Sequence, residues 1–123
     1  LNFILESVYL SKGSEVFIPK LRAYSIMDLK QAIVDLIKDP GEKITQIRPG
    51  EKLHETLINF DETQFTWEFD NKFIIFNSFK KESEIIKKYP GRKKAKLSNS
   101  YSSENVNKIP VSELKEILKK TIL

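Results

Sequence analysis

Residues 64–77 read QFTWEFDNKFIIFN, a run that is hard to place anywhere but in a β-hairpin. Phe65, Trp67 and Phe69 alternate with Thr66 and Glu68, the period of a strand with two unlike faces. A second apolar run, FIIF, follows within a few residues. Asp70 and Asn71 lie between the two and suit a tight reversal, although the glycine usual in such turns is missing.

The segments before the hairpin add helices and short strands. LNFILESVYLSKG predicts a helix with Leu1, Leu5 and Val8 on one face, Ile4 and Tyr9 alongside, and Gly13 at its end. No N-cap residue precedes it, so the helix is expected to be cut open and the chain to be part of something longer. SEVFIPK predicts a strand closed by Pro19. Ser25 and Asp28 are spaced as an N-cap and its N3 acid ahead of IMDLKQAIVDLIKD, a helix stopped by Pro40 and Gly41. KITQI predicts another strand. Strand, helix, strand at this spacing predicts a parallel βαβ unit with a right-handed crossover.

After the motif described below, LHETLI reads as a short helix. Residues 78–100 lose all periodicity. Lys80, Lys81, Lys87, Lys88, Arg92, Lys93, Lys94 and Lys96 there face only Glu82 and Glu84, which predicts an exposed, mobile basic loop. Ser112 is placed to cap a last helix, ELKEILKKTIL. The fold class expected is mixed α/β (α+β), a βαβ unit plus an aromatic hairpin.

Composition narrows the chemistry. A chain of 123 residues, 40% hydrophobic and 31% charged, is expected to form one soluble domain. The absence of cysteine removes disulfides and thiolate metal sites, and one histidine, His54, leaves no multi-histidine zinc site. A net charge of +4 is compatible with a phosphate-bearing ligand, an acidic surface or nucleic acid and selects none of them. No apolar run reaches the length of a membrane span and no secretory signal is visible, so no membrane partner and a cytoplasmic location are expected.

The candidate binding motif is QIRPGEKLHETLI, residues 46–58. Arg48 is expected at the carboxyl end of the KITQI strand, where ligands of parallel α/β folds sit. Pro49 and Gly50 turn the chain and let a ligand approach the backbone. A guanidinium can hold a phosphate through two parallel hydrogen bonds, and a carboxylate such as Glu51 can accept from two neighbouring hydroxyls, as on a ribose. The alternative is that Arg48 and Glu51 pair with each other at the turn. His54 is expected to pack or to hydrogen-bond, holding the Arg48 turn, since no acid, base or nucleophile stands beside it in sequence. Lys20, after FIP, is placed to share a phosphate with Arg48.

GSEVFIPK, a helix opening SIMDL, then IRPGEKLHE and TWEFDNKFIIF together resemble the C-terminal part of bacterial and archaeal polysaccharide-biosynthesis nucleotide-sugar dehydratases and epimerases. This is the UDP-N-acetylglucosamine 4,6-dehydratase group of the extended short-chain dehydrogenase/reductases. NSYSSENVNKIPVSELKEIL resembles the tail of that group. The likeness runs over about residues 1–77 and again from about 99 to 118. It implies a lobe that closes over a UDP-sugar, while a Rossmann half, absent here, holds NAD(P) and the catalytic Tyr and Lys. By the resemblance Arg48 binds the diphosphate and Glu51 the ribose, Lys20 and Pro19 line the nucleotide entrance, and Gly50, Lys52, His54 and Glu55 shape the motif. No catalytic residue and no metal ligand is assigned, and no cofactor is bound by this chain itself. The four glycines, Gly13, Gly41, Gly50 and Gly91, lack the dinucleotide fingerprint spacing. The division implied is 1–77 as the UDP-sugar lobe, 78–100 as the basic loop and 101–123 as a tail helix.

The expected partners are a UDP-sugar and either the Rossmann half or a second copy. Two other functions compete. The basic residues 80–96, with Tyr89 to stack on a base, suit a nucleic-acid module, the less favoured partner. The apolar first helix suits a lobe that binds no ligand and docks to a partner.

Overall fold

The aromatic hairpin forms and organises the fold. The computed structural model describes residues 1–39 and 41–122, with strand β3 at Thr66–Phe69 and strand β4 at Lys72–Ile75 pairing antiparallel, Phe69 opposite Lys72. Asp70 takes φ +45° and fills the place of the missing glycine, since a short polar side chain tolerates the left-handed region. Contacts divide the chain into two interleaved compact units. One is built from Leu1–Leu21 and Thr56–Ser102, the other from Arg22–Glu55 and the chain from Ser103 on. The boundary expected at 77/78 therefore falls inside the first unit.

In the first unit, strand β1 (Val16–Pro19) joins the other edge of β4 and a short strand, residues Lys93–Lys94, joins β3, giving a four-stranded antiparallel sheet. β4 is buried on both faces, which is why its sequence is continuously apolar instead of alternating. Ile74 and Phe76 pack with Trp67 on one side, and Phe73 and Ile75 pack with Ile18 on the other. Phe65 joins the second cluster and so faces away from Trp67. It ends a 3₁₀ turn, Phe60–Phe65, and lies outside the strand pleat. Each large side chain enclosed this way contributes about 1.5–3 kcal/mol.

Residues 78–100 are not the irregular loop that their charge suggested. A helix, Glu82–Lys88, closes the Trp67 side of the sheet with Ile85 and the following Tyr89, and Lys93–Lys94 extends the sheet. LHETLI also differs from expectation. Thr56–Ile58 is a strand that pairs antiparallel with Tyr101–Ser102, and Ile58 is fully enclosed against the second cluster. The opening helix, Asn2–Leu10, forms as expected. Its Ile4, Leu5, Val8 and Tyr9 are 59–85% exposed, while Glu6 reaches the almost fully buried Lys72 ammonium at 2.7 Å.

In the second unit, helix Ile26–Val34 is capped by the Ser25 hydroxyl, which accepts the Met27 N–H at 3.1 Å. It ends six residues before Pro40, which lies outside the described residues. It packs on the last helix, Val111–Ile122. That helix starts one residue before Ser112, so Ser112 sits in the first turn and is not the cap. Arg22 grips Glu113 with both guanidinium nitrogens, and Lys115 pairs with Asp35.

The mixed α/β class holds, and the parallel βαβ unit does not. Residues 43–47 form no strand, and β1 pairs only antiparallel with β4. Among the described residues no helix is long and apolar enough to cross a membrane, and no group of His, Asp and Glu is placed to hold a metal ion.

Candidate functional site

The motif occupies a long irregular stretch of the second unit. Residues 41–55 carry no helix or strand and all are exposed. Hydrogen bonds shape its second half. Glu51 N–H donates to Arg48 O at 3.0 Å and closes a reverse turn over Pro49 and Gly50. Gly50 has φ +85°, the left-handed third position of a type II turn, and proline suits the second. The Glu51 carboxylate accepts the backbone N–H of Arg48 at 2.8 Å.

Arg48 therefore does not project from a strand end, because residues 41–47 directly before it carry no strand. It heads a turn whose closing bonds use its main chain alone. Among the described residues no carboxylate lies within ion-pair distance of its guanidinium. Of the two readings left open by the sequence, mutual side-chain pairing of Arg48 and Glu51 is not the one that forms. Glu51 serves the turn through one oxygen.

Further along the loop, His54 Nδ1 lies 3.3 Å from the Ser103 hydroxyl. That hydroxyl also accepts the Glu55 N–H at 3.1 Å, and Ser103 N–H returns a bond to Glu55 O at 2.8 Å. The Lys108 ammonium donates to Ser103 O. His54 is thus a hydrogen-bonding residue at the end of the motif, but its partner is Ser103 and not the Arg48 turn. Lys52 is exposed. Arg48, Gly50, Glu51, Lys52 and His54 share this one loop.

Pro19 and Lys20 belong to the first unit. Pro19 ends the edge strand β1 opposite Lys72, where its missing N–H costs no ladder bond. The Lys20 ammonium pairs with Glu68 and sits 5.1 Å from the centre of the Phe73 ring. Its charge already has a partner within its own sheet.

Tyr89 cannot stack on a base. It is 3% exposed, packs against Phe76, and its hydroxyl accepts the Lys12 N–H at 3.2 Å. Arg92 lies over the Phe69 ring at 3.3 Å, so part of the basic segment is spent on internal packing.

Comparison with known proteins places the chain. A family model described as polysaccharide biosynthesis protein matches residues 1–77, well over half of the sequence. The chain belongs to the polysaccharide biosynthesis protein family. The UDP-N-acetylglucosamine 4,6-dehydratase (inverting) of Campylobacter jejuni serotype O:2 is 38% identical to it over 122 residues, covering 95% of this chain and 35% of that protein. The enzyme of the same name from the O:23/36 serotype is 37% identical over 109 residues, covering 85% and 32%. The X-ray structure of Pen from Bacillus thuringiensis superposes with a TM-score of 0.74 at 28% identity, covering 96% of this chain and 33% of the other. The chain spans about a third of the length of the curated relatives it matches.

The family match takes in the motif and the hairpin and stops where the basic segment starts. Tyr89 and Lys93 stand four residues apart in the basic segment. Tyr89 is buried, whereas Lys93 is exposed on the short edge strand opposite Glu68, so the two side chains are not presented together. Ser103 is the site residue that sequence reasoning did not single out. Its only trace was its place in NSYSSENVN, a segment quoted for its family likeness and given no role.

Proposed function

We propose that this chain supplies the UDP-sugar-binding portion of a nucleotide-sugar 4,6-dehydratase or epimerase of surface-polysaccharide biosynthesis. The observation that carries the reading is the exposed Arg48 guanidinium, without a carboxylate partner among the described residues, on a turn whose conformation is held by Glu51. A planar guanidinium presents two parallel N–H donors to a phosphate. A turn that holds itself leaves those donors free for a ligand. The Glu51 oxygen not bonded to Arg48 N–H is left to accept from ribose hydroxyls. Similarity to two proteins named UDP-N-acetylglucosamine 4,6-dehydratase supports a UDP-sugar as the ligand.

The residues of this chain do not fit a dinucleotide cofactor, because its four glycines are scattered and form no phosphate-binding fingerprint. NAD(P) belongs, in this reading, to the intact enzyme, and no redox step is assigned to residues here. A Rossmann-type half or a second copy supplies the rest of the pocket, and the work is done in the cytoplasm. Since only part of the pocket is present, affinity is expected to be weak.

Saturation-transfer NMR of the chain with UDP, UMP and uridine tests the proposal. Signal transfer to UDP that weakens for UMP and vanishes for uridine is the expected order, since the diphosphate is the gripped group. Equal transfer to all three, or none to UDP, contradicts it.

A further inference from the structure

Residues 41–55 form a continuous exposed stretch with no helix or strand to stiffen it. A ligand that binds such a stretch must also order it, unless something else already has. The turn at Arg48–Glu51 is closed by local bonds. What ties the far end of the motif down is a residue almost fifty positions away in sequence. Ser103 makes three contacts to this loop through two atoms: its N–H to Glu55 O, its hydroxyl oxygen to Glu55 N–H, and the same oxygen to His54 Nδ1. Its carbonyl is in turn held by the Lys108 ammonium, and the chain around Lys108 is fixed to the unit by Ala23 N–H donating to Asn107 O at 3.1 Å and Ile109 N–H donating to Ala23 O at 2.7 Å.

We infer that Ser103 is a positioning residue for the phosphate-binding loop, clasping its carboxyl end and setting the tautomer of His54. The inference rests on the UDP-sugar reading above. The Ser103 oxygen accepts the Glu55 N–H through one lone pair and keeps its own proton, which in this inference it donates to His54 Nδ1. That bond places the imidazole proton on Nε2, the nitrogen turned away from Ser103. Ser103 touches no ligand in this account. It acts by shortening the free length of the loop between the Arg48 turn and the body of the unit, so that the guanidinium is presented from an ordered backbone.

The test uses the whole chain and three variants, Ser103→Ala, Ser103→Thr and Arg48→Ala. Two ligand-free readouts report the clasp: ring-nitrogen NMR shifts of His54 for the tautomer, and hydrogen exchange of the Glu55 amide. UDP titration reports the consequence. Expected are an Nε2–H tautomer in the wild type, a mixed tautomer and at least tenfold faster Glu55 exchange in Ser103→Ala, and a three- to tenfold weaker UDP affinity. Ser103→Thr retains the hydroxyl and should restore all three. Far-ultraviolet circular dichroism checks that each variant is folded.

A Ser103→Ala variant that loosens Glu55 yet binds UDP as the wild type does overturns the positioning role. So does a wild type whose His54 is already a tautomer mixture with fast Glu55 exchange. If the wild type and Arg48→Ala both fail to bind UDP while the clasp readouts behave as expected, the UDP-sugar reading is what has failed, and the loss is visible apart from the clasp.

Discussion

The Glu51 carboxylate accepts the backbone N–H of Arg48 at 2.8 Å, while Glu51 N–H donates back to Arg48 O at 3.0 Å. The acid and the base of the motif are joined through main chain on one side, so neither charge cancels the other. The turn is held, and among the described residues the guanidinium has no carboxylate partner.

That turn depends on the backbone of Gly50. A Cβ built there meets nothing within 4 Å, so the cost of Gly50→Ala is conformational and not steric. At φ +85° an alanine is disfavoured by about 1–2 kcal/mol. The Glu51 amide should exchange faster in Gly50→Ala, with the melting of the first unit unchanged. Unaltered exchange at Glu51 contradicts the assigned turn.

Glu15 and Tyr89 make stability depend on pH at both extremes. Burial pushes the Glu15 carboxyl up, but hydrogen bonds from Lys80, Tyr89 and the Lys12 N–H, together with the Lys80 charge, outweigh it and hold it at about 2. A pKa lowered on folding stabilises above the unfolded value, 4.5 here, and that stabilisation is lost as pH falls through the folded one. Urea midpoints should therefore drop between about pH 4.5 and 2, and Glu15→Gln should flatten this limb. Burial and then the neighbouring Glu15 push Tyr89 from 10.0 up to about 12. A raised pKa stabilises fully below the unfolded value, so its contribution is lost between pH 10 and 12, and Tyr89→Phe should flatten that limb. An acid limb identical in wild type and Glu15→Gln contradicts the network.

Lys72 tests the difference between breaking and replacing a charge. Its side chain is 3% exposed, with Glu6 at 2.7 Å and the Phe3 ring 5.6 Å from the ammonium. Glu6→Gln leaves the ammonium enclosed with a weaker acceptor and should cost about 1–3 kcal/mol. Lys72→Met removes the charge and fills similar space, so it should cost less. Chemical denaturation of both variants decides. The reverse order shows that the pair, not burial of the charge, sets the energetics.

Ile74 sits in the middle of β4 with no exposed surface. Ile74→Ala should destabilise by about 2–5 kcal/mol, read from the urea midpoint. A cost under 1 kcal/mol means that the Trp67 cluster is not a packed core.

Several elements were legible because their signal is local. The hairpin follows from alternation beside a continuous apolar run, and the second helix follows from Ser25 and a 3.6-residue period. The turn at Pro49–Gly50 follows from residue type alone. What stayed hidden depends on partners distant in sequence. The pattern of SEVFIPK shows a strand but not that its partner is β4, in antiparallel sense, more than fifty residues on. Thr56–Ile58 becomes a strand only because Tyr101–Ser102 pairs with it. In the basic segment two apolar residues, Ile85 and Tyr89, are the whole buried face of the helical turn, too little to stand out among lysines. The Ser103 clasp is the same case at the site, a pair of residues joined only by the fold.

Calorimetric titration of UDP into the wild-type chain and into Arg48→Ala tests the central claim most directly. Loss of one bidentate phosphate contact should lower affinity by at least tenfold, about 1.4 kcal/mol, with Glu51 amide exchange unchanged because the turn does not use the guanidinium. Equal affinity in the two proteins would contradict the assignment of Arg48 as the diphosphate grip.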